Sequence, residues 1–368
     1  MISWLLLGSL VLRCAADFGI PSSNATVDVK AFNVANLTAT LPGVLIQPVL
    51  PAHPTIRIPL HAFLIEHTAT GKRFMFDIGI RNDTANLPPS VSSLFASGVY
   101  SAEPFKPITD LLEEGGIPLD SIETVIWSHA HFDHFGDMSK FPNTTGLVIG
   151  PGTNTSLYPE FPNSALQASD FAGRNVTELD FNQTDLTFSG LPALDYFGDG
   201  SFYLLNMPGH LGGHMSALAR VTPSTFIVLG ADTGHHPGQL RPRPNFQHAY
   251  PCPTELLEQS KTSVSTDYFW SPDTRPGVFD LSSRAQPLLS IPDLPDTADS
   301  NPVASRVSLD KVAEFDAHED FFVLLAHDSS LLPVLPYFPN SLNTWKEIKD
   351  QVLWGFLNET NPAYRFGP

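Results

Sequence analysis

Between His129 and His134 the chain places three histidines and an aspartate in six positions, in the order H-x-H-x-D-H. Imidazoles and a carboxylate crowded this closely desolvate and repel one another unless something cationic sits among them. Packing alone does not call for that combination, so the run reads as part of a metal site rather than a polar surface loop. Three later segments offer the same donor types at turns. Met207-Pro208-Gly209-His210-Leu211-Gly212-Gly213-His214 puts two histidines in a glycine turn, Asp232 ends the apolar run TFIVLG-Ala231, and Ala326-His327 ends the run FFVLL. A histidine or aspartate at such a place is often only a cap or turn residue. In this order behind the first motif, they are strong candidates for the rest of a two-metal site.

Imidazoles with carboxylates suit zinc, and manganese, iron or cobalt would accept the same donors. Two cations a few ångströms apart acidify a water held between them, and the hydroxide so formed can attack a carbonyl that the same cations polarise. No G-x-S-x-G elbow offers a competing serine nucleophile. Cys252, between Pro251 and Pro253, reads as a structural thiol rather than a nucleophile.

The elements that must hold these residues follow from periodicity and punctuation. Residues 57–80 read as a hairpin, with Ile58 to His67 and Arg73 to Ile78 on either side of a Gly-containing turn. Pro107 to Glu114 has helical spacing and stops at Gly115-Gly116. Thr124 to Trp127 is a short buried strand that delivers His129 at its end, and Leu147 to Gly150 is another. Short strands are expected at 186–189, 193–197, 202–206, 215–221, 225–229 and 321–325, with helices at 254–263, 309–315 and 342–357. Strands in both halves with helices between them suggest an α/β fold layered α/β/β/α.

The motifs resemble those of the metallo-β-lactamase superfamily over roughly Phe76 to Asp328. FDIG at Phe76 to Gly79 is similar to that superfamily's first motif, whose aspartate supports the metal loop, which implies a supporting role for Asp77. The resemblance implies an αββα sandwich of two mixed β-sheets flanked by helices. It also implies that His129, His131 and His210 hold one metal, that Asp133, His134 and His327 hold a second, and that Asp232 bridges them. His131 stands where diiron oxygen reductases carry glutamate. SHAHFDHFGD is most similar to the N-acyl-homoserine lactone lactonases. Those enzymes commonly place a substrate-contacting tyrosine three residues after the bridging aspartate, where this chain has His235. Asp133 is implied to orient water or return a proton. His235 is carried as a second catalytic candidate, either lining the pocket or sitting in a turn. His214 is expected to be a supporting group, and Phe132 to face substrate.

The whole chain bounds the reading further. With 368 residues, 38 acidic against 20 basic, it carries a formal charge of −18, which disfavours nucleic acid and an anionic membrane surface. Residues 1–16 resemble a signal peptide, an apolar block followed by Cys14-Ala15-Ala16. Eight N-glycosylation sequons, at Asn24, Asn36, Asn82, Asn143, Asn154, Asn175, Asn182 and Asn358, favour secretion over a cytoplasmic location. Residues 17–368 are expected to form one domain, with an inserted cap at about 236–306. The leading expectation is a metal hydrolase acting on a small lactone or related ester. The alternatives are a thioesterase of the same fold and a metal-binding protein without activity.

Overall fold

In a computed structural model of the protein, which describes residues 18–49, 54–260 and 285–364, the apolar runs pair into two mixed sheets. The expected signal segment 1–16, and 261–284 of the expected cap, lie outside the described residues. The first sheet contains β1 (Val27–Ala39), β2 (Ile56–His67), β3 (Arg73–Phe76), β4 (Tyr100–Phe105), β5 (Ile122–Ile126), β6 (Gly146–Ile149) and β7 (Val176–Glu178). Its order is β4-β1-β2-β3-β5-β6-β7. The strands β3, β5, β6 and β7 run parallel, while β1, β2 and β4 pair antiparallel.

The second sheet is built from β8 (Thr187–Phe188), β9 (Leu191–Asp195), β10 (Phe202–Asn206), β11 (Met215–Thr222), β12 (Thr225–Ala231) and β13 (Phe321–Leu325), in the order β13-β12-β11-β10-β9-β8. Only β12 and β13 pair in parallel, through the long crossover that separates them in sequence.

The inner faces of the two sheets share one core. Val29, Phe63, Phe74 and Ile126 from the first sheet meet Leu204, Ala217, Ile227 and Phe322 from the second. On the outer face of the first sheet lie α1 (Pro89–Ala96) and α2 (Ile108–Glu114), which bury Val91, Ile108 and Leu112. Beyond them in sequence come the short α3 (Ala168–Phe171), α4 (Pro237–Leu240), α5 (Pro244–Ala249) and α6 (Thr254–Ser260). The long α7 (Pro302–Asp316) covers the outer face of the second sheet with Leu309, Val312 and Phe315. The result is the four-layer αββα sandwich expected. Among the described residues no helix is long and apolar enough to cross a membrane.

Two expectations about elements need correction. The amphipathic helix expected over 342–357 is instead three short turns, Trp345–Glu347, Lys349–Val352 and Gly355–Leu357. Its apolar residues are spent on two different clusters, Leu342, Trp345 and Val352 on the inter-sheet core and Leu353 to Leu357 on a separate one, which a straight helix could not serve together. The helix expected at 309–315 begins seven residues earlier, where Asn301 caps it by accepting from Ala304 N at 3.1 Å.

Candidate metal centre

Every candidate ligand sits where a strand ends on the same edge of the sandwich. The loop 127–136 leaves β5, His210 follows β10, Asp232 follows β12 and His327 follows β13. Asp77, just beyond β3, organises the loop from beneath. Its carboxylate accepts from Ser128 N at 2.7 Å, Ser128 Oγ at 2.8 Å and His134 Nδ1 at 2.9 Å. Its backbone is left-handed (φ 58°), a conformation that aspartate tolerates better than most residues. Met215 N donates to Ser128 O at 2.8 Å and ties the second sheet to the same loop.

Two groups of donors result. His129, His131, His210 and Asp232 form one, and Asp133, His134 and His327 the other, each with its ligand atoms within 4.8 Å of one another. His210 Nε2 lies 2.9 Å from His131 Nδ1 and 3.1 Å from His129 Nε2, and His129 Nε2 lies 2.9 Å from His131 Nδ1. Asp232 faces both groups. Its Oδ2 is 3.3 Å from His210 Nε2, and its Oδ1 is 3.1 Å from both His134 Nε2 and His327 Nε2. All seven sequence candidates for ligation are therefore brought together.

The outward hydrogen bonds decide which ring nitrogens carry protons. Ser128 Oγ gives its one proton to Asp77, so at 3.0 Å it can only accept from His129 Nδ1. His134 Nδ1 donates to Asp77, His327 Nδ1 donates to Pro59 O at 2.9 Å, and His210 Nδ1 faces Asp299 Oδ1 at 3.3 Å. In their neutral forms four rings thus turn Nε2 lone pairs inward, towards each other and towards a carboxylate. His134 Nε2 and Asp232 Oδ1, 3.1 Å apart, are both fully buried. Acceptors facing acceptors at 3 Å are repulsive unless cations lie between them, so this donor set fits metal ions.

The electrostatics agree. Burial, reinforced by the charge of His134, holds His129 well below the usual imidazole range, and burial brings His210 down to about 3 although Asp299 opposes it. At His134 and His327 burial works in the same direction, but Asp232 overcomes it and raises both. Asp232 itself is pulled well below the carboxylate range by those two rings, against its burial. The pull that Asp232 exerts on a proton there is the pull a cation would answer.

The group floors a cleft of about 210 Å³, walled by Leu37, Val44, Leu45, Ile58, Tyr100 and Phe132. Phe132 packs on Tyr100 and Phe95, with ring centroids 5.4 and 5.7 Å away. His235 also lines the cleft. Its Nε2 is 3.3 Å from Asp232 Oδ2. His214 lies behind the ligands, donating from Nδ1 to Met207 O and accepting from Asp232 N at Nε2. His236 is structural, capping α4 through Gly238 N and donating to Ala363 O. Cys252 is buried, and burial pushes its thiol up to about 12.

Two parts of the site escaped the sequence reading. Tyr100 comes from β4, a strand the sequence did not announce. Asp299, with the cleft residues Asp296, Thr297 and Ala298, comes from the proline-rich stretch, where no periodicity marks a functional position. A carboxylate behind a ligating imidazole is a usual companion, so the one available signal was the need of His210 for such a partner.

Residues 58–269 match the profile of the metallo-beta-lactamase superfamily. Gamma-lactamase FDB1 of Fusarium pseudograminearum (strain CS3096) is 33% identical across 95% of this chain and 86% of its own length. Cytochrome P450 monooxygenase mpaDE of Penicillium roqueforti (strain FM164) is 38% identical across 94% of this chain. The chain spans only 38% of the length of that relative. Among solved structures, a B. thuringiensis AiiA variant with N-decanoyl-L-homoserine bound at its active site superposes with a TM-score of 0.55. The match covers 87% of this chain and 100% of that one at 14% identity, a likeness of fold.

Proposed function

The chain belongs to the metallo-β-lactamase superfamily, and on that premise we propose that it is a two-metal hydrolase that opens a lactone ring or cleaves a related carboxylic ester. The observation that carries this reading is the convergence of inward-facing Nε2 lone pairs on Asp232 at the floor of an apolar cleft. His129, His131 and His210 would hold one cation and Asp133, His134 and His327 the other, with Asp232 shared. Zinc suits this nitrogen-rich set best, and manganese, iron or cobalt would accept the same donors. When bound, the cations supply Lewis acidity, acidifying water and polarising a carbonyl.

The remaining work falls to the chain's own side chains. The apolar walls seat the acyl portion and keep bulk water from it. Asp133 Oδ2, 3.5 Å from His327 Nε2, is placed to accept a proton from the attacking water. His235 lines the cleft with Nε2 3.3 Å from Asp232 Oδ2, where it is placed to hand a proton to the departing oxygen.

Among the described residues that line the cleft there is no lysine or arginine, so these walls offer no cationic grip for the anionic carriers of acyl thioesters. That observation favours a small uncharged ester over a thioester. A cyclic amide is the second reading, supported by the gamma-lactamase that matches over most of its length. Purified protein should contain close to two metals per chain. In a panel of acyl-homoserine lactones, simple lactones, lactams, aryl esters and acyl thioesters, lactones should turn over fastest. Full activity in metal-free protein would overturn the mechanism, and lactam turnover above lactone turnover would move the reading to the amide.

Secretion is proposed as well. Seven of the eight sequon asparagines are exposed, and only Asn36, at 8% exposure within β1, is buried. Glycosidase treatment of native protein should therefore shift its mass, with Asn36 unmodified in every glycoform.

A further inference from the structure

We propose that Asp299 is a positioning residue of the metal centre, so that the stretch 296–305 completes the site. The inference rests on the two-metal reading above. The Asp299 side chain is 1% exposed, and Oδ1 stands 3.3 Å from His210 Nδ1 while accepting from Ser305 Oγ at 2.7 Å. A carboxylate in this state only accepts, so the proton of His210 stays on Nδ1 and Nε2 keeps its lone pair for the cluster. At 3.3 Å the contact is longer than the roughly 2.7–2.9 Å of a strong charge-assisted bond, so it orients the ring more than it stabilises the fold.

The backbone around Asp299 is laid directly along the turn that carries His210. Ser300 N donates to His210 O and Asn301 N to Gly209 O, each at 2.8 Å. Ser308 Oγ donates to Pro208 O at 2.7 Å. Gly209, at φ +135°, permits this approach, since a Cβ there would lie 2.1 Å from Ser305 N. Asp299 is not needed to start α7, because Asn301 already supplies that cap.

Asp299 Oδ2 is buried without a hydrogen-bond partner, and the His235 ring centroid lies 5.0 Å from that of His210.

The test titrates zinc from the full-length protein with a chromophoric chelator, comparing wild type with Asp299→Ala, Asp299→Asn and Ser305→Ala. Asp299→Ala should release one of the two zinc equivalents at about 10–100-fold lower chelator and leave the other unchanged. Asp299→Asn, which keeps an oxygen for His210 Nδ1, should restore most of that affinity. Thermal unfolding of the zinc-stripped variants should match stripped wild type. Two equivalents held with wild-type affinity in Asp299→Ala would overturn the proposal, as would weakened binding that merely tracks a destabilised stripped protein. Should Asp299→Ala fail to fold, Ser305→Ala must weaken the same equivalent, and unchanged binding there overturns the proposal. Wild type that takes up no zinc overturns the two-metal reading itself, whereas two equivalents in wild type with an indifferent Asp299→Ala overturns this inference alone.

Discussion

Asp77 offers no atom to the cluster, yet it sets the proton positions of two rings that do. It fixes His134 directly and His129 through Ser128. Asp77→Asn would turn an amide N–H₂ towards groups that donate to the carboxylate. Zinc affinity should fall about 10–100-fold, and unfolding free energy by about 3 kcal/mol for the charged hydrogen bonds lost. Chelator titration and urea unfolding read the two effects, and wild-type values in both would refute the supporting role. His131→Ala acts on the cluster itself, removing the nitrogen that stands 2.9 Å from both His129 and His210. One metal equivalent and hydrolysis should be lost together, measured by metal analysis and initial rates. The seven candidate ligands could be picked out because each sits in a short motif whose chemistry is local. Asp299 was not, because its meaning depends on His210, which is 89 positions away.

At the scale of elements, the strands nearest the ligands were legible and the longest was not. β5, β10, β12 and β13 are short apolar runs closed by turn residues, and their expected positions hold within a few residues. β1, of 13 residues, pairs with both β2 and β4 and has a bulge between Asn33 and Asn36, so no single alternation runs through VDVKAFNVANLTA. The closing segment misled in the opposite way, because a helical period arose from residues that serve two clusters. The short α3 yields a pH prediction. Asp170 is buried there, accepting from Gln167 N at 2.8 Å with its other oxygen unpaired. Burial raises its carboxyl from 3.8 to about 6, against Gln167 N and Arg81. A folded value above the unfolded one means its contribution is complete below about pH 4 and is lost as pH rises through 6. Asp170→Asn should remove that loss, gaining on the order of 1–3 kcal/mol at pH 8 and nothing at pH 4. Urea unfolding of zinc-stripped protein at the two pH values measures it, and equal effects at both would show that the charge is not the cause.

For the molecule as a whole, the proposed centre is a joint between sheets. The first sheet supplies His129, His131, Asp133 and His134 from one loop, and the second supplies His210, Asp232 and His327 from three strand ends. Each of the two donor groups mixes both sources, so neither cation could be bound by one sheet alone. Metal held only by the assembled sandwich stabilises it by mass action, about 4 kcal/mol per site when free metal is a thousand times its Kd. The core between the sheets is already extensive, with Val29, Phe63, Leu204 and Phe322 fully or almost fully buried, so stripping should loosen the sandwich without unfolding it at room temperature. For a chain of this length, removal should lower the melting temperature on the order of 5–15 °C. Far-ultraviolet circular dichroism should be unchanged at 25 °C. Adding back two equivalents of zinc should restore the melt, with the second equivalent required for the full shift. A melting temperature indifferent to chelator would mean that the sheets are joined by their apolar core alone, and that the convergence of seven ligands on one edge contributes nothing to holding the fold closed.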